Sequence, residues 1–596
     1  MPPWVARQWH VLRPPTPVLA HRLQCVPRLR AAALRPYSTT SDGNERSSNL
    51  ASINSAIIIP NSVANAKPDD LIEHITPVTL DRTAHNRFVV FLVTPSFAPW
   101  LLDDATFLRK ALNRTYSRAN EFLSTSGARI HALCAVVDKL PAAQSLDQLD
   151  RIEGLGHELN ARSKRPPVSE TGFEGLAYVT LRSGDSIPTP EASQPPPDQA
   201  AVSFVASRSF KKSLGHFSDT LRLPLANTVF QTGSPSTLIY STWQKKDKEG
   251  EFNLLEKKNV THHGVKLHTD VLCARSSSTL AIPLIPLTFP RRVEASMGNI
   301  LRQVTGADGK TVVASHELEK VVPQFFSSRG EIAQATTVWA LVMSREILAH
   351  VLATTSSMLG QLPDPDALDS SDASELLWDN LWAQKPPAWN ELVPDALAAG
   401  ARLHRVLSGG GGWGKKAGLL SLDPAVATSE TPKEGGMVDG PGDLSSALQP
   451  VVRNGDYIQF FTSPPESVPG AKSGVEALKE LEGAKKRWHW ELGTIPSTAD
   501  ALTASSWQHD PSTPRNVFVL RNSFGALTEG GITINRHFKL RQKDEFSDIG
   551  ASKVDVPFSR FSAVEIEGEE TEASKAVDKV GKEKETSEAV GGLYNA

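Results

Sequence analysis

The feature that most constrains the fold is a strand, helix, strand pattern in the first quarter of the chain. Phe88–Val93 and Ile130–Val137 are continuous apolar runs of the length that buried strands have. Residues 103–127, between them, repeat apolar side chains at helical spacing and end at a glycine. Strands that follow each other with one helical crossover pair in parallel, so the pattern predicts a right-handed βαβ unit.

Short apolar runs predict further strands along the chain. They lie at residues 57–59, 176–181, 202–206, 237–243, 279–287 and 338–343. A helix is expected after Ser344, which offers an N-cap. The predicted fold class is therefore α/β of the mixed α+β kind, with βαβ elements and mixed sheets.

The N-terminal segment has the composition of a targeting sequence. Residues 1–37 contain six arginines and no acidic residue, with apolar side chains between the arginines. This composition is typical of a mitochondrial transit peptide, with cleavage near Tyr37–Ser38. We therefore expect a mitochondrial protein of the matrix. The longest apolar window, residues 336–359, is interrupted by Arg345, Glu346 and His350. A membrane span needs about 20 predominantly apolar residues, so we expect a soluble chain with no membrane span.

A glycine-rich stretch is the strongest candidate for a binding site. Its residues are Gly409, Gly410, Gly411, Gly412, Trp413, Gly414, Lys415 and Lys416. Glycine leaves backbone N–H groups uncovered, and two lysines add positive charge, which together suit a small anionic metabolite. His404 and Arg405 precede the stretch in residues 398–407, which we predict to be helical, and complete the candidate ligand-binding set. A plain flexible loop explains the glycines equally well.

The same stretch resembles a P-loop only in part. The spacing from Gly409 to Gly414-Lys415 fits, but Lys416 stands where the motif needs a hydroxyl for Mg²⁺. Nucleotide hydrolysis is therefore not favoured, and the sequence predicts no cofactor.

Two other clusters contain side-chain types that occur in binding sites. Residues 485–490, Lys-Lys-Arg-Trp-His-Trp, interleave basic and aromatic side chains as single-stranded RNA surfaces do. His262, His263 and His268 lack a helical i, i+4 pair and read as part of a hairpin, so we predict no metal site. RNA binding stays open as an alternative.

Three later segments carry a resemblance to a known family. Residues 291–304 with the glycines at 306 and 309, residues 453–461 around Gly455-Asp456, and residues 523–531 resemble parts of the FIST domain, a ligand-sensing module of bacterial signalling proteins that is also found in mitochondrial proteins of fungi. The resemblance covers residues of about 85 to 535 in patches. It implies a two-lobed unit and binding of a small ligand, including an amino-acid-like one, and it implies no catalytic residues.

The domain organisation follows from these parts. After the transit peptide at 1–37, we expect a mobile leader at 38–70, a FIST-like N-terminal half at 71–305 and a C-terminal half at 306–540. The second half carries the glycine-rich residues 409–416 and a linker insertion at 424–446, and a charged, largely disordered tail follows at 541–596.

The functional prediction is a small-ligand-binding, sensory or interaction protein of mitochondria, without catalysis. Hydrolase, metalloprotease, thiol-redox and dinucleotide motifs are absent from the sequence. One alternative is an RNA- or mitoribosome-associated factor in mitochondrial gene expression. A second is an enzyme that acts on a phosphorylated or carboxylate metabolite.

Overall fold

The structure is a computed structural model of the 596-residue chain. It describes residues 53–79, 85–142, 171–210, 215–248, 250–267, 275–306, 309–360, 371–384, 391–409, 418–424, 451–463, 478, 488–497, 517–540 and 546–566. The predicted transit peptide, most of the glycine-rich stretch and the 424–446 insertion beyond Pro424 lie outside these residues.

Seven strands form what we call the first sheet. In spatial order they are β21 (Val517–Arg521), β1 (Ser55–Pro60), β4 (Leu176–Leu181), β2 (Phe88–Val93), β3 (Arg129–Val136), β8 (Leu238–Lys245) and β9 (Phe252–Asn259). Strands β2 and β3 run parallel, and their other neighbours are antiparallel. This confirms the predicted parallel pair.

Three helices cover one face of the first sheet. α1 (Pro68–Ile72) precedes β2, and α2 (Leu108–Thr115) and α3 (Asn120–Ser126) connect β2 to β3. The last of them ends at Gly127, whose φ of 61° is left-handed and favours glycine. Apolar side chains of these helices pack against β2 and β3 in a continuous core.

Two further sheets combine strands from both ends of the chain. The second sheet has the order β24 (Phe546–Val554), β23 (Ile532–Leu540), β7 (Gly215–Pro224), β6 (Ala201–Phe210), β10 (His262–Lys266) and β5 (Ser186–Pro188). The third has the order β11 (Arg275–Ala281), β25 (Arg560–Ile566), β20 (His489–Thr494) and β22 (Ser523–Thr528). Because late strands complete early sheets, Leu50–Ala596 forms one compact unit.

Six strands close into a barrel. In order around it they are β19 (Tyr457–Thr462), β13 (Arg291–Met297), β14 (Ile300–Thr305), β18 (Leu420–Leu422), β17 (Arg402–Gly409) and β16 (Val338–Met343), and β16 pairs with β19 again. β12 (Ile285–Pro286) and β15 (Thr311–Val313) extend it at β19 and β14.

The remaining helices are short or lie around the barrel. They are α4 (Val229–Thr232), α5 (Ala314–Ser328), α6 (Arg345–Met358), α7 (Ser371–Trp382) and α8 (Leu392–Ala398). A 3-10 helix occupies Pro95–Leu101, and single 3-10 turns occupy Ser117–Ala119, Ser183–Asp185, Glu191–Ser193 and Pro197–Gln199. The N-cap of α6 is Ser344, as predicted.

A central core lies where the three sheets meet the outer face of the barrel. Phe88 of the first sheet, Phe204 of the second, Phe524 of the third and Leu403 of the barrel are all fully buried in it. A separate cluster fills the barrel and the space under α5 and α7. The mixed α/β fold class is therefore confirmed.

Three local predictions are wrong. Residues 402–409, placed in a helix at 398–407, form β17, because their backbone pairs with β16 and β18. The histidine hairpin is instead a single strand, β10, which pairs in parallel with β6. Residues 546–566, assigned to a disordered tail, form β24 and β25, because partners far back in the chain supply their hydrogen bonds.

Candidate functional site

The glycine-rich stretch connects two neighbouring strands of the barrel. Gly409 ends β17 and lies opposite Leu420 of β18, so the residues between them join an antiparallel pair. A P-loop needs a helix after its glycines, and here a strand follows. The Gly410–Lys416 residues of the candidate site lie outside the described residues, and their role stays a prediction.

Glycine is required where this connection returns to the barrel. Gly418 has a φ of 81°, and a Cβ atom there would overlap the side chain of Val313. At this position the reason for glycine is packing against β15 and not contact with a ligand.

His404 and Arg405 point to opposite sides of the barrel wall. Side chains alternate along a strand, so His404 turns to the barrel interior together with Arg402, while Arg405 turns outward and is exposed. His404 also lies five residues from Gly409, which is about 17 Å along an extended strand. The structure thus does not bring His404, Arg405 and Gly409 together as one site.

The environment of His404 determines which nitrogen carries the proton. Its side chain is 3% exposed, and Nδ1 lies 2.9 Å from the backbone oxygen of Asp423. A carbonyl oxygen only accepts hydrogen bonds, so Nδ1 is the protonated nitrogen. Burial lowers the pKa of His404 from 6.5 to about 4, which keeps the ring neutral at pH 7.

The other ring nitrogen of His404 lacks a partner. Nε2 is buried and makes no hydrogen bond with any residue that the structure describes. In the neutral tautomer it is an acceptor, so it can be satisfied only by an N–H or O–H group. Ala340 of β16 lies opposite His404, and Phe460 of β19 lies opposite Ala340. Both side chains are apolar, so neither offers such a donor.

Arg402 lies two residues before His404 on the same face of β17. Its Nη2 donates to the backbone oxygen of Val451 at 3.0 Å, and burial lowers its pKa from 12.5. The barrel end therefore presents a guanidinium beside a neutral imidazole acceptor.

The basic and aromatic cluster at 485–490 does not present its rings to solvent. Trp488 is 2% exposed and Trp490 is 1% exposed, and Trp490 stacks on Phe561 at 5.3 Å. Lys485, Lys486 and Arg487 lie outside the described residues. Buried rings cannot stack on bases, so the argument for RNA binding from these tryptophans is lost.

The structure reveals a polar cluster between the first and second sheets that the sequence did not indicate. His263 of β10 accepts from or donates to Ser186 of β5, with 2.9 Å between Nε2 and Oγ. Tyr240 of β8 stacks on His263 at 5.1 Å, and its hydroxyl lies 3.0 Å from Nδ1 of His131. We call these four residues the inter-sheet cluster.

His262, His263 and His268, which are close in sequence, do not form a metal site among the described residues. His262 turns away from the inter-sheet cluster and lies 3.1 Å from the hydroxyl of Ser203. His268 lies outside the described residues. Among the residues that the structure does describe, no group of three or more His, Cys, Asp or Glu side chains is arranged to hold a metal ion.

None of the described helices combines the length and the apolar character that a membrane span requires.

Comparisons with known proteins do not name a family. Neither protein-family models, nor curated proteins, nor solved structures match this chain. The FIST-like resemblance of the three segments thus stays a prediction.

Proposed function

We propose that this chain is a small-ligand-binding protein, and that the barrel end around His404 and Arg402 receives the ligand. The observation that carries the proposal is Nε2 of His404, a buried acceptor without a partner among the described residues. Leaving such an atom unsatisfied costs about 1–3 kcal/mol. A ligand group that donates a hydrogen bond to Nε2 removes this cost. The unsatisfied atom therefore favours ligand binding at this position.

The two side chains define the chemistry of the ligand. A neutral imidazole acceptor calls for an ammonium, amide or hydroxyl group on the ligand. The neighbouring guanidinium of Arg402 favours a carboxylate. An amino-acid-like or hydroxy-acid metabolite has both groups on adjacent atoms. Lys415 and Lys416 are proposed to add positive charge that favours an anionic ligand.

We place this binding in the mitochondrial matrix. The support is the acid-free, arginine-rich composition of residues 1–37. N-terminal sequencing of the protein isolated from mitochondria is expected to begin at or near Ser38. A mature chain that begins at Met1 would remove this part of the proposal.

Thermal unfolding with a panel of amino acids and hydroxy acids tests the binding proposal. A true ligand at a hundredfold excess over its Kd raises the unfolding free energy by about 2.7 kcal/mol. His404→Leu is expected to abolish this effect, because the acceptor for the ligand's donor group is gone. Arg405→Ala is the matched control, since its side chain is adjacent in sequence and faces solvent.

Two results would contradict the proposal. One is full ligand stabilisation in the His404→Leu variant, which would place the ligand elsewhere. The other is the absence of stabilisation by every compound that carries both a donor and a carboxylate.

A further inference from the structure

The inter-sheet cluster contains a serine and a histidine at the distance that nucleophilic catalysis uses. Oγ of Ser186 and Nε2 of His263 are 2.9 Å apart. A serine becomes a nucleophile when an adjacent base takes its proton, and hydrogen-bond distances of about 2.6–3.2 Å are the geometric sign of such a pair. This cluster is separate from the barrel and independent of the ligand proposed there.

The fold gives the two residues different access to solvent. β5 is the edge strand of the second sheet, and Ser186 is half-buried at its first position. His263, behind it on β10, is only 2% exposed. A reagent can therefore reach the hydroxyl from the sheet edge, while the imidazole is shielded from water.

Close packing of the two strands holds the pair in register. Ser186 lies opposite Val265, and Ile187 lies opposite Gly264. A Cβ atom at Gly264 would come within 2.9 Å of Cβ of Ile187, so a side chain there would push β5 away from β10. The short distance between Ser186 and His263 depends on this glycine.

Tyr240 packs against the histidine of the pair. Burial raises the pKa of Tyr240 above its usual value of 10, so its hydroxyl stays protonated. Its ring stacks on that of His263 at an interplanar angle of 24°. His131 and Thr242 lie on its far side, with Nδ1 of His131 3.0 Å from the Tyr240 hydroxyl and 3.2 Å from Oγ1 of Thr242.

We propose that Ser186 is an acyl-accepting nucleophile and that His263 is its base, acting on small carboxylic esters or thioesters. Oγ of Ser186 forms a bond to the acyl carbon, and its proton moves to Nε2 of His263. The bond from the acyl carbon to the alkoxide or thiolate breaks, and His263 passes the proton to that leaving group. Water, activated by the same histidine, then cleaves the acyl-serine and releases the carboxylic acid.

The chain supplies a matched control for this pair. Ser203 and His262 lie 3.1 Å apart on the neighbouring strands β6 and β10, but their burial is reversed. Ser203 is 9% exposed and His262 is half-buried, so here the hydroxyl is the shielded group. Accessibility, and not the presence of a serine beside a histidine, distinguishes Ser186.

Labelling with a fluorophosphonate tests the proposal on the full-length protein. This reagent forms a bond from serine oxygen to phosphorus and loses fluoride, and it reacts with serines that a base activates. Mass spectrometry of peptides from the labelled wild-type chain is expected to locate the adduct on Ser186. Ser186→Ala should lose the adduct, whereas Ser203→Ala and His262→Gln should label at the wild-type rate.

A second variant separates activation from structure. Glutamine can accept a hydrogen bond from Ser186 but cannot take up its proton, so His263→Gln is expected to slow labelling by about 100-fold or more. An adduct on another residue, no adduct on the wild-type chain, or equal labelling of His263→Gln would each overturn the proposal. Release of nitrophenolate from a nitrophenyl ester, with a burst of one equivalent, is the expected sign of the acyl-serine.

Discussion

Two buried histidines, His263 between the sheets and His404 in the barrel, have the same protonation behaviour and opposite surroundings. Each lies on a strand, each is nearly inaccessible, and burial lowers the pKa of each from 6.5 to about 4. Nε2 of His263 meets a hydroxyl of its own chain, and Nε2 of His404 meets none among the described residues. A shifted pKa alone therefore does not distinguish them, because burial produces the shift in both places. The partner of Nε2 distinguishes the two sites.

The largest expected effect is the response to acid, which the two histidines share. The unfolded chain takes up protons near pH 6.5 and the folded chain only near pH 4, so stability is full above pH 6.5 and falls as the pH decreases towards 4. Protonation of each histidine lowers the unfolding free energy of the protein by about 3 kcal/mol over that range, because each pKa unit corresponds to about 1.36 kcal/mol. His262, whose pKa is also lowered to about 4, acts in the same direction with more solvent screening.

Urea unfolding at pH 7 and at pH 4 measures this effect. The double variant His263→Gln with His404→Gln is expected to lose much of the pH dependence, and each single variant about half of that loss. A wild-type chain equally stable at both pH values would show that neither histidine is buried in its neutral form.

Replacement by leucine should lower the unfolding free energy by different amounts at the two histidines. His263→Leu leaves the hydroxyl of Ser186 without its acceptor, and we expect a loss of about 1–3 kcal/mol. His404→Leu loses one bond to Asp423 but also removes an unsatisfied buried atom, so the unfolding free energy should stay within about 1 kcal/mol of the wild type. Equal losses in ligand-free protein at pH 7 would contradict the difference that we draw between the sites.

A smaller effect is expected for the hydroxyl of Tyr240. Tyr240→Phe removes one hydrogen-bond partner of His131, but His131 keeps Thr242, so the expected loss is about 1 kcal/mol. A double-mutant cycle with Ser186→Ala should give a coupling energy of about 0.5 kcal/mol or more. Strict additivity would mean that the cluster is not one network.

The smallest effect on stability is expected in the glycine-rich stretch. Lys415→Ala with Lys416→Ala should change the unfolding free energy of the ligand-free protein by less than about 0.5 kcal/mol, as surface substitutions do. Loss of metabolite stabilisation in this variant would give the lysines a part in binding. Outright unfolding would assign them to structure, and loss of RNA co-sedimentation with intact metabolite stabilisation would favour the RNA alternative.

The comparison also shows which parts of a site can be predicted from sequence. His404 precedes the glycines in sequence, yet the strand points its side chain inward, away from Arg405 and at a distance from Gly409. Ser186 carries no local signal, since its partner His263 is 77 residues later. Proximity along the chain thus does not indicate proximity in the fold, and contacts between sheets leave no pattern in the sequence.

The sequence by itself determined those strands whose side chains are apolar along a continuous run. Continuous apolar runs identified β2, β4 and β16 at the bounds that the structure has, because a strand buried on both faces must be apolar throughout. Only the tertiary structure decided that 402–409 is a strand, that 546–566 is ordered, and that the barrel closes through β16 and β19. The physical reason is that backbone hydrogen bonds in a sheet are made with distant segments, so a polar or ambiguous run becomes a strand when a neighbour offers its unpaired edge.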